Sequence, residues 1–168
     1  DQDPEGYKTV RSYFDQTKPT YGVYYTHTAA TAGTGAAVDV KGQDTPGSIC
    51  PKGWRLPKTG TMAKSPSNEI YNLTEQYKGT MGWSGDSESG NWANGVHEIQ
   101  GTPQNFAYSG YRDYANPTIG NFDSYGDHWT STVESINSAY DGIFSSGYLF
   151  TRISRLRYHG FSVRCLAR

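Results

Sequence analysis

Three arginines near the C-terminus, Arg152, Arg155 and Arg157, are interleaved with Tyr148, Phe150 and Tyr158. Guanidinium forks supply bidentate hydrogen bonds, and tyrosine faces supply stacking and contact area at low entropy cost. That combination suits recognition of a ligand. It equally suits a solvated strand edge guarded by charge against pairing with another chain. Arg164, beside Cys165, reads as structural.

Hydrolytic chemistry finds no comparable set. The histidines His27, His97, His128 and His159 are dispersed, and neither a Gly-x-Ser-x-Gly elbow nor a His-Glu-x-x-His pair places a base or metal beside a nucleophile. His97-Glu98 and Asp127-His128 are acid-base neighbours, but adjacent residues on a strand point to opposite faces. The expectation is a chain without catalytic residues and without a cofactor.

Composition bounds the scaffold that must position these groups. With 168 residues, 35% hydrophobic, 14% aromatic and 20 glycines, the chain suits one loop-rich, β-leaning domain over residues 1–168, built on amphipathic rings and tight turns. A formal net charge of -1 creates no field to recruit nucleic acid or an anionic membrane. No apolar run approaches the roughly 20 residues that span a bilayer, and Asp1-Gln2-Asp3-Pro4 opens the chain in place of a signal sequence.

The 2 cysteines, Cys50 and Cys165, are distant in sequence. One reading is a long-range disulfide that makes the C-terminal segment part of the domain; the other is a pair of buried thiols. Gly22–Thr28 reads as a strand and Ala29–Gly47 as a connecting loop. Ser65 as N-cap with Pro66 at the first helical position starts a helix that buries Ile70, Leu73 and Tyr77 and stops at Lys78-Gly79. Glycines around Trp83 and Trp92 make residues 80–105 a loop region pinned by indoles. Strands are expected over Asn105–Arg112, His128–Val133, Ser138–Phe144, Tyr148–Ile153 and Gly160–Leu166, with a turn at Gly120–Gly126. Trp54 and Trp129 are expected in the core.

Several blocks taken together resemble the FISUMP-type "major paralogous" bacterial extracellular domains. They are Tyr24–Gly33, Gly47–Pro57 (GSICPKGWRLP), Ser109-Gly110-Tyr111-Arg112, Trp129-Thr130-Ser131-Thr132, Ala139-Tyr140 and Gly160–Arg168 (GFSVRCLAR). The resemblance implies an α+β, C-type-lectin-like fold: small antiparallel sheets, one or two helices and a loop-rich excursion at about residues 80–126. The chain departs from the family at Asp127-His128, where an aromatic usually precedes the Trp-Ser-Ser-Thr block. Proteins of this fold also serve as the variable proteins of diversity-generating retroelements, in which adenine-directed mutagenesis rewrites a ligand-binding face. From Asp141 to Gly160 there is no Lys, Glu, Gln, Met or Trp, the residues that a randomised codon ending in C cannot encode.

What the resemblance implies is therefore a secreted, cell-surface or virion-surface module whose C-terminal sheet face, about residues 127–160, meets a protein or glycan on another cell or particle. The residues expected there are Asp127, His128, Ile136, Asn137, Asp141, Ile143, Ser145, Tyr148, Arg152, Ser154, Arg155, Arg157, Tyr158 and His159. A calcium-dependent sugar site is not expected: the Glu-Pro-Asn and Trp-Asn-Asp motifs are absent, Asn116-Pro117 follows Ala115 in place of an acid, Trp92 is followed by Ala93-Asn94, and Asp86, Glu88 and Asn91 read as a solvated loop. Two competing readings are a structural module of an envelope or appendage protein and an enzyme acting on cell-wall sugars.

Overall fold

A computed structural model describes residues 12–14, 22–62, 65–75, 89–91, 106–113, 119–145 and 148–168. Its elements, in order, are β1 (Ser12–Phe14), β2 (Val23–Tyr25), α1 (His27–Ala30), a 3-10 turn (Thr34–Ala37), β3 (Trp54–Arg55) and α2 (Glu69–Glu75). Then come β4 (Ser89–Asn91), β5 (Tyr111–Arg112), β6 (Ile119–Gly120), β7 (Tyr125–Val133), β8 (Ser138–Ser145), β9 (Tyr148–Leu156) and β10 (Leu166–Ala167). The architecture is α+β, with short helices beside small antiparallel sheets: β4-β9-β8-β7, and the pairs β1-β2, β10-β3 and β5-β6.

The large sheet is built from the β-branched and aromatic run around Trp129, whose indole is fully buried among Ala30, Leu56, Ala139 and Phe161. Trp129 Nε1 donates to Tyr25 O at 2.6 Å, so the ring's polar edge is satisfied inside the core. The register of β7 on β8 shifts between Trp129 and Val133; there Thr130 Oγ1 donates to Tyr140 O of β8 at 2.7 Å, and the Ser131 and Thr132 hydroxyls serve the loops outside the ladder. Thr132 Oγ1 donates to Asp44 Oδ1 at 2.6 Å and accepts from Thr59 N at 2.9 Å, while Ser131 N donates to Pro57 O. The Trp-Thr-Ser-Thr block therefore carries the core on its indole and the loops on its hydroxyls.

Cys50 and Cys165 form a disulfide across 115 positions, with Cα atoms 5.8 Å apart. β10 pairs with β3 beside it, closing the chain's two distant blocks on each other. Gly110 has φ +64, and a Cβ there would meet Gly120 O at 2.3 Å, which accounts for glycine at the β5–β6 approach.

Several expectations shift. Trp54 is 46% exposed and not core, because its two-residue strand lies at the rim against Ala167. The segment Ala29–Gly47 is not plain connection: α1 begins at His27, and Ala29 and Ala30 are buried. Helix α2 starts later than Ser65-Pro66, since Asn68 Oδ1 accepts from Tyr71 N at 3.0 Å and sets the first turn. Phe106–Ser109 is irregular where a strand over Asn105–Arg112 was expected, and Gly160–Ser162 makes isolated bridges. Tyr77, Lys78-Gly79, Trp83, Trp92 and His97-Glu98 lie outside the described residues.

Candidate functional site

The central sheet sorts the expected surface residues by strand register. Asp127, Trp129, Asp141, Ile143, Ile153 and Arg155 share one face, because Asp127 pairs Ile143, Trp129 pairs Asp141 and Asp141 pairs Ile153. Tyr140, Arg152 and Ser154 share the other, with Tyr140 opposite Ser154. The fourteen expected residues therefore do not form one face. They also do not lie at one end: Tyr148 is opposite Asn91 and Ser145 opposite Tyr125, whereas Ser138 is opposite Leu156 at the far end of β9.

Burial divides them again. Asp127, His128, Asp141, Ile143, Ser145 and Arg157 are buried; Arg152, Arg155, Tyr158 and His159 are half-buried; Ile136, Asn137 and Ser154 are exposed. Of Tyr148 only the backbone is described. Arg157 is the largest departure from expectation. Its guanidinium donates through Nη1 to Gly35 O at 2.7 Å, through Nη2 to Val38 O at 2.6 Å and to Ser135 O, and through Nε to Ser138 O at 3.2 Å. Four of its five N–H donors are spent on backbone carbonyls, tying the 3-10 turn to the β7–β8 hairpin. A surface role for Arg157 is thereby replaced by an internal one.

His128 is likewise interior. Its ring stacks on Phe144 with centroids 5.4 Å apart and meets Phe106 edge-on at 5.0 Å. Burial, with Arg164 nearby, lowers its pKa to about 3, so it is a neutral aromatic in the packing. His27 follows the same pattern: burial, then the Arg157 charge, lowers its pKa to about 3. These histidines stay neutral and do not titrate near neutral pH.

The half-buried residues have defined surroundings. Arg152 lies 3.6 Å from the Tyr140 ring centroid and donates from Nε to Gly60 O at 3.3 Å. Arg155 Nε is 3.7 Å from Asp141 Oδ2. His159 Nε2 is 3.7 Å from Asp113 Oδ1, and burial lowers its pKa against the pull of Asp113. Burial raises the Asp127 pKa to about 6 and lifts Asp141 well above the carboxylate range, with Asp127 as the next cause for Asp141 and Arg155 opposing both shifts.

Sequence reasoning missed Tyr140 as the platform for Arg152, Asp113 as the partner of His159, and Leu156 as an exposed apolar residue at 37% exposure. Strict alternation along β9 would have separated Arg152 and Ser154 from Arg155. Nothing in the sequence marks the cross-strand partners.

A small polar cavity of about 160 Å³ is lined by Thr45, Ser48, Arg55, Lys58, Ser131 and Arg168 among others. Two of its cations are already engaged: Arg55 forks onto Glu69, and Lys58 Nζ is 3.0 Å from Asp44 Oδ2. Among the described residues no group of three or more His, Cys, Asp or Glu could hold a metal ion. No helix among them is long and apolar enough to cross a membrane. No family model, curated protein or solved structure matches this chain.

Proposed function

We propose that the chain is a non-enzymatic binding module of C-type-lectin-like, FISUMP-type character, displayed outside the cell or on a virion, with its ligand surface at the C-terminal half of β9 and the turn after it. The surface wraps the C-terminal end of β9, with Ser154 and Leu156 on one side of the strand, Arg155 on the other, Tyr158 and His159 in the turn that follows, and Ile136 and Asn137 in the adjoining hairpin turn. The observation that carries the reading is the division within Asp141–Gly160. Asp141, Ile143, Phe144, Thr151 and Arg157 are buried in the scaffold, whereas Ser154 and Leu156 are exposed and Arg155 and Tyr158 half-exposed. A rigid frame presenting a few accessible polar and aromatic side chains suits recognition at low ordering cost.

The composition of that segment supports diversification by a retroelement, now confined to its accessible positions. The Cys50–Cys165 disulfide supports an oxidising location. The partner is a protein or glycan on another cell or particle. A second reading, a structural module packed against a neighbouring domain, is favoured by the exposed apolar residues Ile136 and Leu156.

The test is binding to a partner selected against the displayed module, using Ser154→Arg and Tyr158→Ala. The expected result is at least tenfold weaker binding, about 1.4 kcal/mol, with an unchanged melting temperature. Undiminished binding by both variants would contradict the assignment of this surface.

A further inference from the structure

Asp127 on β7, Asp141 on β8 and Arg155 on β9 form a diagonal row across one face of three adjacent strands. The two carboxyl groups are shut away from water, with Asp127 2% and Asp141 0% exposed. Among the described residues, Asp127 Oδ2 and both Asp141 oxygens have no partner within hydrogen-bond distance. The row's one cation does not supply those bonds. Arg155 Nε stands 3.7 Å from Asp141 Oδ2, within ion-pair range but beyond hydrogen-bond reach, and Nε itself is unbonded. Buried carboxylates are retained where they are paired and hydrogen-bonded, and this pair is short of both charge and donors.

The Arg155 side chain is 39% exposed, so the row runs from an occluded carboxyl pair to a residue that reaches solvent. Beside His159 stands a further carboxyl group, Asp113, and burial keeps His159 itself neutral. We propose that Asp127 and Asp141 together receive one guanidinium or alkylammonium group from a cationic side chain of a protein partner, which displaces the Arg155 side chain and makes the hydrogen bonds Arg155 leaves unmade. Arginine fits best, because its planar fork can serve two carboxyl groups at once. The inference rests on the β9 surface reading and names the chemistry of its ligand. The raised pKa values of both carboxyl groups mark the same deficit, and an arriving cation lowers them, so binding near neutral pH releases protons.

The probe is methylguanidinium, with methylurea as its neutral counterpart, titrated into the wild type, Arg155→Ala and the double variant Asp127→Asn/Asp141→Asn, and followed by NMR shifts and calorimetry. Saturable methylguanidinium binding is expected, about tenfold tighter in Arg155→Ala if Arg155 covers the pair nine-tenths of the time. The double variant and methylurea give none. Where Arg155→Ala is unfolded alone, recovery of the folded signal with methylguanidinium but not methylurea is the same expected result, and no recovery overturns the proposal. Equal response to methylurea, binding retained by the double variant, or no gain in Arg155→Ala also overturns it. Arginine amide and glucosamine distinguish the cation's source: tighter binding of arginine amide supports a protein, and preference for the amino sugar overturns that assignment. Failure of this titration leaves the Ser154 and Tyr158 binding test standing, so the two readings fail separately.

Discussion

At the residue scale, similar side chains close together in sequence have different work. Arg157 holds four backbone carbonyls in the interior, and Arg155, two positions earlier, reaches solvent. Arg157→Ala should cost more than about 3 kcal/mol, since it removes charged hydrogen bonds and orphans buried acceptors. Denaturant titration reads this directly, and Arg157→Lys should recover only part. The buried titratable groups oppose one another in acid. His27 and His128, with folded pKa values of about 3, contribute stability that is present above pH 6.5 and lost as pH falls toward 3. Asp127, raised to about 6 from 3.8, contributes stability that is present below 3.8 and lost as pH rises through about 6. Asp127→Asn should therefore lose stability more steeply than the wild type between pH 6 and 4, as measured by urea unfolding at several pH values. A parallel fall in both proteins would show that Asp127 does not take up that proton.

At the element scale, β7 was the best signalled strand and β9 the most consequential misreading. The aromatic and β-branched run at His128–Val133 reads as a strand from sequence, and Trp129 as core, because both depend on local side-chain character. The hydroxyl bonds of Ser131 and Thr132 depend on loops more than seventy positions away, beyond the reach of local pattern. Thr132→Val should cost about 1–3 kcal/mol through the lost partners of Asp44 and Thr59, with the sheet otherwise intact. In β9, grouping arginines by proximity in sequence hid their assignment to opposite faces. The register against β8 supplies that distinction: Arg155 opposite Ala139, Ser154 opposite Tyr140. The early end of α2 was misjudged for a similar reason, since Ser65-Pro66 and Asn68 are both credible starts and only the Tyr71 N–H bond chooses between them.

At the scale of the whole molecule, one disulfide and the strand pair beside it bring Cys50 and Cys165 together within a mixed α+β architecture. Closing a loop of about a hundred residues removes roughly 4.7 kcal/mol of unfolded-state entropy. Cys50→Ala/Cys165→Ala should lose stability of that order in denaturant melts, and thiol reagents should label the wild type only after reduction. A loss below about 1 kcal/mol would mean that the β3–β10 pairing holds the closure without the bond.

A fixed scaffold presenting a changeable surface, as proposed, would be recorded most directly in the DNA surrounding the gene. Sequencing that neighbourhood is predicted to reveal a reverse transcriptase and a near-identical template repeat whose adenine-linked differences fall in codons for accessible residues such as Ser154, Arg155 and Tyr158, sparing those for Asp141, Thr151 and Arg157. A neighbourhood with neither feature, or differences concentrated in the codons of the buried residues, would contradict it.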